Sequence, residues 1–295
     1  MNKVNFLKIL VISIISSFLI TGCGKNEGTK AKVSIQIKGS DTMVNLGQSW
    51  AEEFTKIHPD VNIAVTGGGS GTGIAALLNG TCDIAESSRD VEDKEITLAK
   101  EKGIIFEKFI VGLDGLTVVV HPSNPVTNLT IDELRAIFTG EITNWKSFKG
   151  KDSKIVVLSR EVNSGTHVFF KEHVLRKGNP KGKEEFTPYA LLMPSSQAIA
   201  DEISNNPDAI GYYGMGYISN KQKVINVAKD KKSPYISPTK ENIINNKYPI
   251  SRPLFMITNG LPKDIIKDFM DFALSESGQA IVGKIDFVPI KPRGK

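Results

Sequence analysis

The sequence predicts an α/β protein of two lobes, in which strands and helices alternate along the chain. Three strand–loop–helix units follow one another within the first hundred residues, and a second set begins near residue 117. Loops rich in glycine and hydroxyl residues follow three of the strands. This alternation is typical of sheets with parallel strands, whose loops gather at the carboxyl ends of the strands.

The amino terminus has the features of an export signal. Two lysines precede an apolar run over residues 9–20, which is too short for a permanent membrane span but suits a signal peptide core. The run ends in Leu-Ile-Thr-Gly-Cys, which resembles a lipobox, although an ordinary signal peptide with a chance cysteine is the alternative. We expect residues 1–22 to be a signal peptide, Cys23 to carry lipid, and the polar residues 23–32 to form a tether.

Composition excludes several classes of function. The formal net charge is +5, with lysine and glutamate interspersed, so there is no basic patch typical of a nucleic-acid-binding protein. Of the two cysteines, Cys82 is left without a disulfide partner once Cys23 is lipidated, and we expect a small buried thiol there. The four histidines are scattered and show no metal-ligand spacing, so no metal or cofactor is predicted.

The first lobe is predicted from three strands with a helix after each of the first two. The first helix carries Leu46, Trp50 and Phe54 four residues apart, which indicates one buried face. The second helix carries apolar residues from Ile74 onward. The predicted strands are residues 33–38, 61–65 and 82–85.

The second lobe is predicted to begin with a β-branched strand over residues 116–120. Thr130 and Glu133 form a capping box that starts a helix. The other predicted elements are strands 154–158, 209–213 and 254–258, helices 195–205, 263–274 and 278–282, and an extended segment 287–290. We expect lobe I to comprise residues 33–116 plus 252–295, and lobe II residues 117–251.

Three loops share one character, since each follows a strand, precedes a helix and contains Ser, Thr or Gly. They are residues 39–42, 67–73 and 160–166. Helix N-termini offer free N–H groups, hydroxyls donate as well, and Arg160 adds a fork of donors. Each loop alone is more often a simple N-cap, but together they predict a cage for a tetrahedral oxyanion. Residues 67–73 fit neither a Walker A loop nor a dinucleotide fingerprint.

The motifs are similar to those of one known family. The sequence resembles the phosphate-binding components of high-affinity phosphate ABC transporters over residues 35–290. The motifs that carry the resemblance are Gly39-Ser40-Asp41-Thr42, Gly68-Gly69-Ser70-Gly71-Thr72-Gly73, Asp83-Ile84-Ala85, Phe138-Thr139-Gly140-Glu141-Ile142-Thr143-Asn144-Trp145, and Arg160 with Ser164-Gly165-Thr166.

The resemblance implies a type II periplasmic-binding-protein fold, with a hinge between two lobes and a ligand cleft between them. It implies binding of inorganic phosphate, delivery to membrane permease subunits, a monomer, and no enzymatic activity. The ligand groups that it implies are the Thr42 hydroxyl, the Met43 amide, Ser70, Arg160, Ser164, Gly165 and Thr166, with Ser40 and Asp41 in the same first motif.

One position departs from the family pattern. Where well-known members have an aspartate that accepts a hydrogen bond from a protonated phosphate, this chain has Ser88, followed by Arg89. A site made only of donors would leave a phosphate O–H unpaired. We expect Asp41 to supply the acceptor, although a serine hydroxyl could accept and Asp41 could merely cap its helix. Arg89 could add charge, pair with Asp41, or lie on the surface.

Three alternatives remain open from the sequence. A hydrolase of phosphate esters would need an activated nucleophile or a metal site, and no such cluster is present. A receptor for sulfate or molybdate stays possible because the aspartate is missing. A surface sensor or adhesin could use the same fold.

Overall fold

A computed structural model of the chain describes residues 33–179 and 181–291. The expected signal peptide, the lipidated Cys23 and the tether lie outside these residues. No helix in this part of the chain combines the length and the apolar character that crossing a bilayer requires.

Most strands belong to one mixed sheet, in the order β2-β1-β3-β11-β4-β8-β6-β7, with β9 paired to β4 and a separate pair formed by β10 and β5. The strands are β1 (Val33–Gly39), β2 (Val61–Thr66), β3 (Ile84–Ser87), β4 (Phe106–Val120), β5 (Asn128–Thr130), β6 (Val156–Arg160), β7 (Leu191–Met193), β8 (Ala209–Gly214), β9 (Lys223–Val224), β10 (Asn226–Ala228) and β11 (Ser251–Asn259).

The strands are parallel at both ends of the sheet and antiparallel at its centre. β1 is parallel to β2 and β3, and β6 is parallel to β7 and β8, as the sequence predicts. The expectation of parallel strands is wrong for β4 and β11, which run antiparallel to each other. These two strands carry the chain from one half of the sheet to the other and back, so they must run in opposite directions.

Helices flank the sheet, and the helix after β5 begins at the position that its sequence indicates. Thr130 Oγ1 accepts a hydrogen bond from the Glu133 amide (3.2 Å), and the Glu133 carboxylate accepts one from the Thr130 amide (2.8 Å), which confirms the capping box. The helices are α1 (Val44–Ile57), α2 (Ser70–Leu78), α3 (Asp93–Glu101), α4 (Ile131–Thr139), α5 (Gly165–Phe170), α6 (Ser196–Asn205), α7 (Lys240–Ile244), α8 (Asp264–Leu274) and α9 (Glu276–Lys284).

β4 is the longest strand and joins the two halves of the sheet. It has 15 residues, whereas the sequence predicts only residues 116–120, because charged residues and glycines interrupt the apolar pattern before Leu116. β4 pairs with β11 as far as Gly115 and with β8 from Leu116 onward. A single strand therefore holds the two halves in register.

The predicted apolar face of α1 packs into the main core. Leu46, Trp50 and Phe54 are buried, which confirms the helical spacing. The Trp50 indole donates to the Gly278 carbonyl (2.8 Å), and the Phe54 ring meets Phe269 edge-on at 5.3 Å. These contacts fix the C-terminal helices α8 and α9 against α1, whose first turn follows one of the predicted ligand loops.

Glu86 on β3 is a buried acid in this core. Neither of its carboxyl oxygens has a hydrogen-bond partner among the described residues. The carboxyl lies under α1, where a Cβ added to Gly47 would stand 2.5 Å from its Oε1 atom. Burial raises the pKa of Glu86 well above its ordinary value, since the charged form would lose its hydration. The side chain is therefore held as a neutral acid.

This raised pKa predicts a specific loss of stability with increasing pH. Unfolded Glu86 ionises above pH about 4.3, whereas folded Glu86 stays protonated, so the free energy of unfolding falls by about 1.4 kcal/mol per pH unit between the two pKa values. We expect Glu86→Gln to match the wild type near pH 4 and to be increasingly more stable than it toward pH 8. Urea denaturation at several pH values measures the difference.

The exposed Glu101 on α3 offers the matched control. Glu101→Gln should leave the pH dependence of stability as in the wild type. A Glu86→Gln effect that is the same at every pH would contradict a buried neutral acid.

Candidate functional site

The three predicted loops meet at the carboxyl ends of their strands. The loop after β1 leads to α1, the loop after β2 leads to α2, and the loop after β6 leads to α5. The second and third are joined directly: the Gly71 amide donates to the Asn163 carbonyl (3.0 Å), and the Asn163 side-chain amide donates to the Gly68 carbonyl (2.8 Å). Loops from the two halves of the sheet are thus in hydrogen-bond contact.

Two pairs of buried hydroxyl groups lie where these loops meet. The Thr42 and Thr166 hydroxyl oxygens are 2.9 Å apart, although the residues are 124 positions apart in the chain. Ser70 and Ser88 form the second pair: the Ser88 amide donates to Ser70 Oγ at 3.0 Å, and the two hydroxyl oxygens are 3.4 Å apart. All four side chains are buried. Their oxygens can donate or accept hydrogen bonds.

Gly165 is packed directly against the serine pair. A Cβ added to Gly165 would stand 2.2 Å from Ser70 Oγ and 2.8 Å from Ser88 Oγ, so no other residue fits without moving them. Ser164 precedes it as the N-cap of α5, and its hydroxyl accepts from the Thr166 amide (3.2 Å). The glycine therefore lets the start of α5 approach the hydroxyl groups of the other half of the sheet.

Arg160 is held in place by protein groups on every side. Its Nη1 donates to Asp41 Oδ2 (3.1 Å) and to Ser196 Oγ (3.1 Å). Nε donates to the Met193 carbonyl at 3.2 Å, and Nη2 to the Pro194 carbonyl at 3.0 Å. The guanidinium is buried and fixed in orientation, as a site for a planar or tetrahedral oxyanion requires.

Asp41 serves as the partner of this arginine. Its Oδ2 atom accepts from both Arg160 and the Ser196 amide (2.8 Å), and its backbone carbonyl accepts from the Tyr217 hydroxyl (2.8 Å). The N-cap residue of this helical turn is Ser40, and its side chain makes no cap hydrogen bond. Neighbouring Ser40 and Met43 are buried beside Asp41, with the Ser40 amide bound to the Glu86 carbonyl (2.8 Å).

Arg89 does not take the position expected for it. Its guanidinium forms a bidentate pair with Glu95 (2.8 and 2.7 Å) and lies 3.2 Å from the Glu92 carboxylate. The ideas that it pairs with Asp41 or lies on the surface are both wrong, because the residue is buried and its charge is balanced locally. The first turn of α3 supplies these carboxylates, and the sequence prediction included no helix there.

The structure adds an ion pair that the sequence analysis missed. Arg252 on β11 donates from Nε (2.9 Å) and Nη2 (2.8 Å) to Asp114 Oδ2 on β4, and both side chains are fully buried. Arg252 also donates to the Ser88 carbonyl (3.0 Å), to Thr166 Oγ1 (3.1 Å) and to Thr42 Oγ1 (3.4 Å). It therefore contacts two of the predicted ligand loops and the loop that follows β3. A charged residue at the start of an apolar strand was the available clue.

The nearby histidine takes no part in the cluster of hydroxyl groups. His167 Nδ1 lies 3.2 Å from Ser159 Oγ, behind the loop. Burial, followed by the Lys171 charge, lowers the pKa of His167 to about 4, so the ring is neutral at physiological pH. The described residues contain no cluster of three or more His, Cys, Asp or Glu that could hold a metal ion.

The fold and the site define a class of proteins that bind a solute between loops from two halves of one sheet. The family model of this class, described as "PBP superfamily domain", matches residues 25–277. A phosphate-binding protein PstS of Pseudomonas aeruginosa is 31% identical over 85% of this chain and 81% of its own length. That of Borreliella burgdorferi is 34% identical over 96% of this chain and 98% of its own length.

A similar structure is known from Clostridium perfringens. It is a putative phosphate ABC transporter substrate-binding protein with bound phosphate, which is 33% identical to this chain and superimposes with a TM-score of 0.78 over 88% of this chain and 100% of its own. The chain belongs to the PstS family of phosphate-binding proteins within the PBP superfamily.

The buried ion pair predicts a strongly non-additive response to mutation. Arg252→Met leaves Asp114 buried without its counter-charge, and we expect the free energy of unfolding to fall by about 3–5 kcal/mol. Adding Asp114→Asn removes the remaining charge and keeps an oxygen for the Met215 amide, which now donates to Asp114 Oδ1 at 2.9 Å. The double variant should therefore recover much of the loss. Chemical denaturation of the two single variants and the double variant closes the cycle.

An exposed ion pair provides the control. Lys56 and Glu53 are 2.6 Å apart on the surface of α1, and Lys56→Met should change stability little. Additive losses from Arg252→Met and Asp114→Asn would contradict a coupled buried pair.

Proposed function

We propose that this chain binds inorganic phosphate outside the cytoplasm and delivers it to an ABC permease for uptake. One observation carries the proposal: two buried hydroxyl pairs and an oriented arginine lie together, contributed by loops from both halves of the sheet. An oxyanion loses much hydration on binding, so nearly all its oxygens must be paired by the protein. This cluster supplies donors from several directions, and the similar Clostridium perfringens protein is described with bound phosphate.

The proposed ligand groups are those that the structure leaves able to form a hydrogen bond with an anion. Ser164 accepts a bond from its own turn and keeps its hydroxyl proton free. Arg89 is left out of the set, since Glu95 and Glu92 bind its two Nη atoms and balance its charge; its buried Nε has no hydrogen-bond partner among the described residues. The set comprises the hydroxyl groups of Ser40, Thr42, Ser70, Ser88, Ser164 and Thr166, the amides of Met43 and Gly165, and the guanidinium of Arg160.

We propose that binding closes two lobes about a hinge formed by β4 and β11. These strands connect residues 33–116 and 252–295 to residues 117–251 through adjacent positions in the sheet. The contact between Gly71 and Asn163 joins loops on opposite sides of this division and is what a closed form requires. The closed form would be the one that the permease recognises.

The remaining parts of the proposal concern location and partners. We infer that Cys23 carries a lipid that holds the protein at the outer face of the cell membrane, with residues 23–32 as the tether. The chain acts as a monomer, and binding is its function rather than catalysis. Permease subunits of a phosphate transporter are its protein partners.

A sulfate or molybdate receptor is the alternative that Ser88 favours. An aspartate at this position would accept a hydrogen bond from the phosphate O–H, whereas a serine hydroxyl can also donate to a fully ionised anion. Anion competition separates the two candidates.

Calorimetric titration of the purified protein, stripped of bound anion, tests the proposal. Phosphate should bind tightly at pH 6 and pH 8, and excess sulfate should not displace it. Gly165→Ala should weaken phosphate binding by about 100-fold, because a Cβ there displaces two hydroxyl groups and each lost bond to a charged ligand costs about 1.5 kcal/mol or more.

Gly283→Ala is the matched control. A Cβ on Gly283 would meet only Pro289, at 3.4 Å, and that glycine lies on α9. It should bind phosphate as the wild type does. Sulfate binding as tight as phosphate binding would point to the alternative receptor, and no heat from either anion would refute the ligand assignment.

The proposed anchor predicts a change of location. Cys23→Ser removes the thiol that would receive lipid, so the protein should move from the membrane fraction to the soluble extracytoplasmic fraction. Immunoblots of fractionated cells measure this, and they should show Cys82→Ser in the membrane fraction with the wild type. Retention of Cys23→Ser at the membrane would contradict a lipid anchor.

A further inference from the structure

The threonine pair of the site has an unusual third partner. Thr42 Oγ1 and Thr166 Oγ1 are 2.9 Å apart, and the same nitrogen of Arg252 donates to both, at 3.4 Å and 3.1 Å. An arginine can only donate, because its guanidinium has no acceptor atom. This Nη2 atom also donates to Asp114 Oδ2, so its second hydrogen is shared between the two hydroxyl oxygens, and each oxygen uses one of its two lone pairs on it.

Counting protons and lone pairs then defines what the pair can offer a ligand. One threonine must donate its proton to the other, since both oxygens lie within hydrogen-bond distance and Arg252 cannot accept. The threonine that receives this proton has both lone pairs occupied and keeps its own proton, so it can only donate. The other has given its proton and has one lone pair left, so it can only accept.

We propose that the Thr42–Thr166 pair, oriented by Arg252, recognises a singly protonated oxyanion by presenting one donor and one acceptor. This inference rests on the proposed function and concerns how the same site selects its anion. The result is the same whichever threonine donates to the other. Among the described residues, neither hydroxyl has a further recorded partner that would use the free proton or the free lone pair.

The arrangement matches phosphate and opposes sulfate near neutral pH. Monohydrogen phosphate has an O–H that can donate to the accepting threonine and charged oxygens that can accept from the donating one. Sulfate has no proton, so its oxygen would face a lone pair and the acceptor would stay unpaired. Sites built around a hydrogen bond to a ligand hydroxyl group discriminate strongly against analogues that lack it.

Three other acceptor atoms near the threonine pair are already engaged. Asp41 Oδ2 accepts from Arg160 and from the Ser196 amide, which makes this carboxylate a counter-charge for the arginine. Ser70 Oγ accepts from the Ser88 amide, and the Ser88 carbonyl accepts from Arg252. Arg252 itself is balanced by Asp114, so we assign it the role of positioning residue for the threonine hydroxyl groups.

The test is the ratio of sulfate to phosphate dissociation constants. Thr42→Val and Thr166→Val keep the shape of the side chain and remove the hydroxyl, so each should weaken phosphate binding and lower the ratio by about 10–100-fold. Thr42→Ser and Thr166→Ser keep the hydroxyl and should restore the wild-type ratio. Arg252→Lys should lower the ratio as well, because a single ammonium does not reproduce the planar fork that reaches both oxygens and Asp114.

A purely structural role for the threonines gives a different result. In that case the valine variants would weaken both anions equally and leave the ratio unchanged, which would overturn the inference. A ratio that collapses in Asp41→Asn or Ser88→Ala but persists in both valine variants would overturn it too and would assign the acceptor to that residue. Thermal unfolding of each variant identifies any that do not fold. Where a valine variant does not fold, the matching serine variant is compared with the wild type by competition between phosphate and arsenate, which is protonated like phosphate.

Anion binding by the wild type distinguishes a failure of this inference from a failure of the function on which it rests. If it binds neither anion, the proposed function fails. If it binds phosphate and sulfate equally well, the anion site stands and recognition of the proton is refuted.

Discussion

The ion pair between Asp114 and Arg252 is the interaction on which the site depends. Two opposite charges are buried in adjacent central strands, where desolvation is costly unless every group is hydrogen-bonded. Their remaining bonds go to the Ser88 carbonyl, the Met215 amide and the two threonine hydroxyl groups, all in the loops or first helical turns that follow strands of the sheet. Because the pair lies where the chain passes between the halves of the sheet, it holds loops from both halves in fixed positions relative to each other.

The arginines near the site each have their own carboxylate. Arg160 is paired with Asp41, Arg252 with Asp114, and Arg89 with Glu95. The protein groups around the site therefore carry little net charge before an anion arrives. Affinity and selectivity must then come from the number and direction of hydrogen bonds, and less from the weak positive charge of the whole chain. This favours discrimination by the proton on an anion over discrimination by its charge.

Local patterns made much of the fold predictable. The spacing of apolar residues on α1, the capping box of α4 and the strand–loop–helix units all depend on neighbours in sequence, and the structure confirms them. The length of β4 was not predictable in this way, because Asp114 and the glycines that interrupt its pattern are stabilised by residues more than a hundred positions away. The partners of Arg89 and Arg252 were missed for the same reason. A long charged side chain can reach many positions, so its partners can be assigned only once its surroundings are known.

The hydrogen bonds between Asn163 and the glycine-rich loop have a consequence for an empty protein. These bonds join the two halves of the site through protein atoms alone. In a chain that opens and closes, they lower the free energy of the closed form whether or not an anion is present. Under the proposed hinge closure, a fraction of empty molecules is then closed at any moment, and under the proposed function that fraction would compete with loaded molecules for the permease. The strength of these few bonds would thus set the fraction of empty protein that meets the permease in the closed form.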